Sequence, residues 1–270
     1  MIVDFHTHCF TETLAERAVA SIAQAADIPA RSDGTVAGIR ASMKKANIDK
    51  SVLLSIATKP QQTSRINQWA ISMQADDLIP FGTIHPDFGD WENELVRLQQ
   101  AGINGIKFHP DYQLFYVDDP KMFPIYEKAA QLGLIIIFHA GVDLGLPAPY
   151  HCPPQRMRQV VRAFPGAKLV AAHMGGYQYW DEVERFLVGE ELYLDTSFSL
   201  HEMSAEQFSR ILSGHGADRL LFASDSPWGS QSEEVERIKA MAMPDAARQA
   251  ILGGNAEKLL GYVCCKGNSC

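Results

Sequence analysis

Residues 132–141 read Leu-Gly-Leu-Ile-Ile-Ile-Phe-His-Ala-Gly, and this order of residue types recurs along the chain. Gly133 ends a helical segment. The apolar run Leu134–Phe138 follows, as expected of a parallel strand covered on both faces. A histidine stands where the run stops. Comparable runs lie at Ile2–Thr7, Ser51–Ile56, Ile79–Ile84, Gly105–Phe108, Lys168–Ala172, Leu192–Thr196 and Leu220–Ala223. Between them, Trp91, Leu95 and Leu98 share a helical stripe, as do Phe123, Tyr126 and Ala130 after Pro120, and Val183, Phe186 and Leu187. Eight alternations of strand and helix predict an α/β fold, a single-domain (β/α)8 TIM barrel. The competing open, doubly wound sheet lacks its G-x-G-x-x-G after the first strand.

The first crossover, Phe10 to Asn47, is longer than one helix requires and predicts an inserted helix or lid. Beyond the eighth run, 232–241, 245–252 and 255–262 read as closing helices. The barrel is therefore assigned to residues 1–262, with a cysteine-containing tail at 263–270.

Composition narrows the class. Of the 270 residues, 46% are hydrophobic and 21% charged, which excludes disordered and fibrous chains. A net charge of −8 argues against non-specific binding to nucleic acid or an anionic membrane. No apolar run approaches the roughly 18 residues of a membrane span. The start, Met1-Ile2-Val3-Asp4, lacks the basic and apolar regions of a signal peptide, so a cytoplasmic location is expected. The five cysteines form no disulfide framework. Cys264, Cys265 and Cys270 read as free thiols of a frayed tail, with a redox or intermolecular disulfide role as the alternative, and Cys9, next to His8, as a candidate oxidant sensor.

The rim where barrel strands end is where catalytic groups converge, and the polar residues gather there. The first strand ends in Asp4-Phe5-His6-Thr7-His8; with a period of two, Asp4, His6 and His8 share a face. Two imidazoles on one strand can then chelate one ion. Later strands end at Lys107 and His109, at His139, at His173 and at Asp225, all aimed at the same mouth. Asp225 has a second reading as a helix N-cap. His85 and His109, each before proline, also read as turn residues. His151, His201 and His215 are expected to be exposed or capping, with a lid role open for the first two. A lysine on an inner strand face is not a solvated surface charge. Lys107 could bridge two metals after carbamylation, bind an anionic group as a point charge, or neutralise nearby carboxylates.

These motifs resemble the amidohydrolase superfamily, within it the amidohydrolase-related branch that includes aminocarboxymuconate semialdehyde decarboxylase. The resemblance is carried by Asp4–His8, Gly105–Pro110, Phe138–Gly141, Ala172–Gly176 and Ala223–Pro227, and by the closing Gly253–Gly261. It implies one divalent metal, zinc first and manganese second, held by His6, His8, His139 and Asp225. It further implies that His173 is a general acid/base beside the ion, with Asp225 sharing the proton transfer. Lys107, in its G-x-K-x-H-P context, resembles the substrate contact of one-metal relatives. His109 and Trp228 are the other substrate-binding candidates.

Relatives are often dimers, so a homodimer is an expectation. The primary functional expectation is hydrolysis of an ester, lactone or amide in a small, carboxylate-bearing substrate. Decarboxylation of a small aromatic or unsaturated acid uses the same ligands and stands second; a non-catalytic metal-binding barrel stands third. Lys107, Tyr112, Arg156, Tyr177 and Trp228 are the candidates to meet a substrate carboxylate. The segments Phe10–Asn47, Asp111–Asp119 and Val142–Pro154 are expected to set specificity.

Overall fold

The computed structural model describes residues 1–262; the assignments made to Cys264, Cys265 and Cys270 lie outside them. Eight strands, β1 Val3–Thr7, β2 Lys50–Leu54, β3 Leu78–Thr83, β4 Gly105–Phe108, β5 Ile135–Phe138, β6 Leu169–Ala171, β7 Tyr193–Asp195 and β8 Leu220–Leu221, form one parallel sheet in chain order. Backbone hydrogen bonds from Phe5 N to Phe222 O (2.9 Å) and from Asp225 N to His6 O (2.9 Å) tie its two edges together. This is the (β/α)8 barrel that the alternating pattern predicts.

Alternation along each strand builds two apolar layers. Ile135 and Ile137 join Phe5, Phe81, Val170 and Leu221 in one cluster, with Ala256 and Leu259 of a closing helix packed into it. Ile136 and Phe138 join the other cluster, with residues of the surrounding helices such as Leu95, Tyr126 and Met157. The helices between strands include α3 Thr63–Ser72, α4 Trp91–Gln100, α5 Phe123–Gln131, α6 Pro154–Ala163, α7 Trp180–Phe186 and α8 Ala205–His215, numbered in chain order after two in the first crossover. After β8 come α9 Gln231–Ala240, α10 Asp245–Gln249 and α11 Asn255–Leu259, the last two joined by a π-helical stretch, Ala250–Gly254. Among the described residues, no helix is long and apolar enough to cross a membrane.

The long first crossover holds two helices, α1 Glu12–Ala26 and α2 Val36–Ala46. They do different things. α2 packs Ile39, Met43 and Ala46 into the outer apolar layer, as a barrel helix should. α1 buries only Ala15 and Val19. It is the inserted element, and it lies over the mouth.

One local feature of β1 departs from the two-residue period. Asp4 pairs with Ser51 and Thr7 with Leu53, so β1 advances three residues while β2 advances two. That extra residue is a β-bulge, which re-aims the side chains on either side of it. Val3 and Phe5 point into the barrel, Phe5 against Phe81 with ring centroids 5.9 Å apart. Asp4 accepts hydrogen bonds from Ser224 N (2.9 Å) and Gln231 Nε2 (2.8 Å) instead. The expectation that Asp4 shares a face with His6 and His8 is thus corrected.

Candidate metal centre

His6, within the bulge, and His8, just past β1, turn into the mouth with their Nε2 atoms 3.1 Å apart. Each lies 3.3 Å from Asp225 Oδ1. These three residues offer donor atoms that all lie within 4.8 Å of one another. The opposite ring nitrogens are held from behind. His8 Nδ1 meets Leu54 O at 2.9 Å, and His6 Nδ1 meets Asp195 Oδ2 at 2.9 Å. Such partners put the proton on Nδ1 and leave the Nε2 lone pair free, as a ligand to a divalent ion would need.

Asp195, the last residue of β7, was missed in the strand-end reading, although its position there is the signal that could have found it. It is fully buried. Its Oδ1 also accepts from His173 N (3.1 Å), Ser197 N (3.0 Å) and the Ser197 hydroxyl. One carboxylate therefore orients His6 and the turn that carries His173. Asp195→Asn is expected to weaken metal binding about 10–100-fold. Competition against a chromogenic chelator would measure this, with circular dichroism to verify the fold.

His173 follows β6, and its ring Nδ1 lies 3.0 Å from Ser197 O while Nε2 lies 3.0 Å from His139 Nδ1. His139 does not fall in the first group of donors. It belongs to a second, with His109 and Asp143. The His109 and His139 rings stack at 4.0 Å, and Asp143 Oδ2 sits 3.1 Å from His109 Nε2 and 3.9 Å from His139 Nε2. His139 Nε2 is buried without a hydrogen-bond partner. A buried polar atom left so is costly, and an electrophile is what a neutral imidazole nitrogen can accept. Asp143 is a second residue absent from the sequence reading; it lies in the loop after β5, four residues beyond His139.

Lys107 is fully buried, with Nζ 3.4 Å from His6 Nε2. Burial pulls its ammonium down to about 8, against the attraction of Asp195 and Asp225. Burial first, then Lys107, holds His6 and His109 well below the ordinary imidazole range. For His139 the causes are burial, then His109 and His173. Burial pushes the Asp225 carboxyl up, but the charges of His6 and its neighbours outweigh it, leaving it lowered. Neutral imidazoles with one ionised carboxylate are the protonation states a divalent ion requires. The buried nitrogen of His139 and this N/O donor chemistry fit a single ion of the zinc or manganese type.

Backbone strain marks the same residues. His173 (φ 58°) and Asp225 (φ 63°) are both left-handed, a conformation that costs roughly 1–3 kcal/mol for a non-glycine residue and clusters at functional sites. Gly141, two residues past His139, has φ 88°, and a Cβ there would meet Tyr177 N at 2.2 Å. Only glycine lets the β5 and β6 loops approach so closely.

Other expectations are sorted by the same geometry. Lys107, His109, Tyr112, Tyr177 and Trp228 all line the cavity above the donors. Arg156 does not: it pairs with Asp118 at 2.6 Å and covers the Tyr116 ring. Asp225 is not a helix cap, since Ser230 caps α9. His151 is not free in solvent but pairs with Asp111 at 2.7 Å. His215 is buried at the end of α8, its Nε2 3.0 Å from Leu192 O. His85 takes Asp87 N at 3.1 Å and lies outside the cavity lining. Cys9 is buried, which pushes its thiol up to about 12. A thiol so protonated is a poor oxidant sensor.

Three solved structures share this architecture at low identity. A TIM-barrel protein of unassigned function from Bordetella bronchiseptica has a TM-score of 0.76 at 21% identity, over 96% of this chain and 98% of that one. A 5-carboxyvanillate decarboxylase from Novosphingobium aromaticivorans, solved with manganese and 4-hydroxy-3-methoxy-5-nitrobenzoic acid, has 0.74 at 16%, over 97% and 96%. The 2,6-dihydroxybenzoate decarboxylase from Rhizobium has 0.70 at 16%, over 97% and 98%. Among curated proteins, none matches this chain. These likenesses show the fold. The family model described as Amidohydrolase matches residues 3–262, and with the barrel, the paired histidines of β1 and the aspartate after β8 in place, the chain belongs to the amidohydrolase family.

Proposed function

We propose that the protein is a metal-dependent decarboxylase of a small aromatic or unsaturated carboxylic acid. The observation that carries this reading is Lys107: a fully buried ammonium among the metal donors, at the floor of a cavity whose other walls are largely apolar. A carboxylate that enters is held by that charge, while the water it sheds against the apolar walls favours its loss as neutral carbon dioxide. His6, His8 and Asp225 would hold the ion; His139 stands in the neighbouring group, and its unpartnered Nε2 is the nitrogen that would turn to them as a fourth donor. When bound, the ion supplies Lewis acidity to polarise the substrate oxygens and take up charge.

The chain's own groups do the rest. The carbon that loses carbon dioxide must gain a proton. His173, which meets Ser197 through Nδ1 and His139 through Nε2, lines the cavity and can deliver it, with His139 as its partner in the transfer. Tyr177 and Trp228 wall the position where a ring would lie. The names of the solved neighbours, decarboxylases of carboxyvanillate and dihydroxybenzoate, support the same chemistry. This reverses the order of the two reactions expected from the motifs. Hydrolysis stands second, on the adjacency of Asp225 and His173 to the donors, which would serve a water molecule equally well.

The test is carbon dioxide release from a panel of ortho-hydroxylated benzoates and unsaturated acids, by the manganese- or zinc-loaded enzyme. Release that a chelator stops supports the proposal; ester or lactone cleavage without release supports hydrolysis instead. Lys107→Met is expected to raise KM for the acid about tenfold or more, the worth of one charge-assisted hydrogen bond. Steady-state kinetics at saturating metal would show it.

A further inference from the structure

The cavity has a volume of about 710 Å³, within the roughly 300–1,000 Å³ of sites that enclose drug-sized ligands. A single substituted ring at the metal donors leaves much of it unfilled. Part of the lining comes from α1, apart from the strand ends that carry the donors.

α1 presents Leu14, Ala18, Ile22 and Ala26 to the cavity. These positions are four apart, so they form one stripe along the helix. Ala15 and Val19, on the adjoining face, are the residues α1 buries against the protein. α1 is thus apolar on two faces, and only one is packed. The alanines alternate with larger side chains, which leaves recesses at 18 and 26. Phe10 and Trp69 add aromatic surface to the same lining, and Gln62 and Arg65 polar surface. Leu14 is 37% exposed. An apolar wall of this extent left in water is unfavourable, and it marks a binding surface.

We infer that the substrate is an extended acid: a carboxylate-bearing ring at the donors, joined to an apolar arm, aryl or alkyl, that lies along the Leu14–Ala18–Ile22 stripe. The placement of the carboxylate rests on the decarboxylase reading. The placement of the arm rests on the cavity alone. The arm's burial strengthens binding of ground state and transition state alike, so it acts on KM and Kd before kcat.

Two acids test this: a compact ortho-hydroxybenzoate, and the same acid carrying a phenyl or butyl substituent. Calorimetry on the metal-loaded enzyme measures Kd for both, and carbon dioxide release measures kcat/KM. The armed acid is expected to bind about tenfold or more tightly. Ala18→Phe fills the recess and is expected to erase that ratio. Leu14→Asp, at a partly exposed position that tolerates charge, is expected to lower it independently of any packing defect at 18. Equal Kd values for the two acids in the wild type, or a ratio that both variants leave intact, overturn the inference. If neither acid releases carbon dioxide but the armed one still binds more tightly through Ala18 and Leu14, the arm site stands and the decarboxylase reading falls.

Discussion

Asp225→Ala is expected to strip the divalent ion from the protein and to abolish measurable turnover. Asp225 is the carboxylate of the first donor group, and its Oδ1 is the atom both β1 histidines face at 3.3 Å. Without it, two imidazoles remain, and only Asp195, behind His6, is left to offset the ion and the Lys107 ammonium. Loss of an outer-shell partner typically costs 10–100-fold in metal affinity; loss of this donor is expected to exceed about 100-fold. His6→Ala is expected to do the same, and it also frees the buried Asp195 carboxylate. Elemental analysis of protein purified without chelator measures the ion: about one per chain in the wild type, and near none in either variant. A variant that retained a full complement of metal would move the centre to the neighbouring group, His109, His139 and Asp143.

His173→Ala is expected to separate chemistry from metal binding. Its Nδ1 is committed to Ser197 and its Nε2 to His139 Nδ1, so neither nitrogen belongs to the donor groups. Removing a positioned general acid or base costs about 10²–10⁴-fold in rate, and that fall in kcat is the expected result. Most of the metal should remain. If the variant lost its metal as well, His173 would be a ligand and the single-ion arrangement proposed here would be wrong. The variant also leaves His139 Nδ1 without its partner, so a modest drop in metal affinity is compatible with the proposal and a complete one is not.

The barrel was legible because its signal is local and repeated. Several apolar runs, such as Leu134–Phe138, follow a glycine that ends a helix, most stop at a polar residue, and a parallel sheet covered on both faces accepts such runs. The His6/His8 pair was legible for the same reason: two positions apart on one strand point the same way. Asp4 obeys the same spacing and yet faces elsewhere, because the bulge between Asp4 and Thr7 is set by pairing with β2. Nothing in the residues Asp4–Thr7 announces it. Asp195 was hidden differently. Its β7 segment is short and ends in a common polar residue, and its worth comes from the contact with His6, 189 positions away in the chain.

The amino-acid order alone therefore determined the closed α/β architecture, the pair of imidazoles at its mouth and the membership of Lys107, His139, His173 and Asp225 in one rim. Those depend on strand period and on which strand each residue ends. Which donors meet was decided by the tertiary structure: His6, His8 and Asp225 in one group, His139 in the next with His109 and Asp143, and Asp195 behind His6. So was the use of α1, whose two apolar faces read alike in sequence until the fold buries one and leaves the other along the cavity. The physical reason is that strand direction is a property of neighbouring residues, whereas convergence within a few ångströms depends on bulges, loop approach and helix placement, which long-range packing sets.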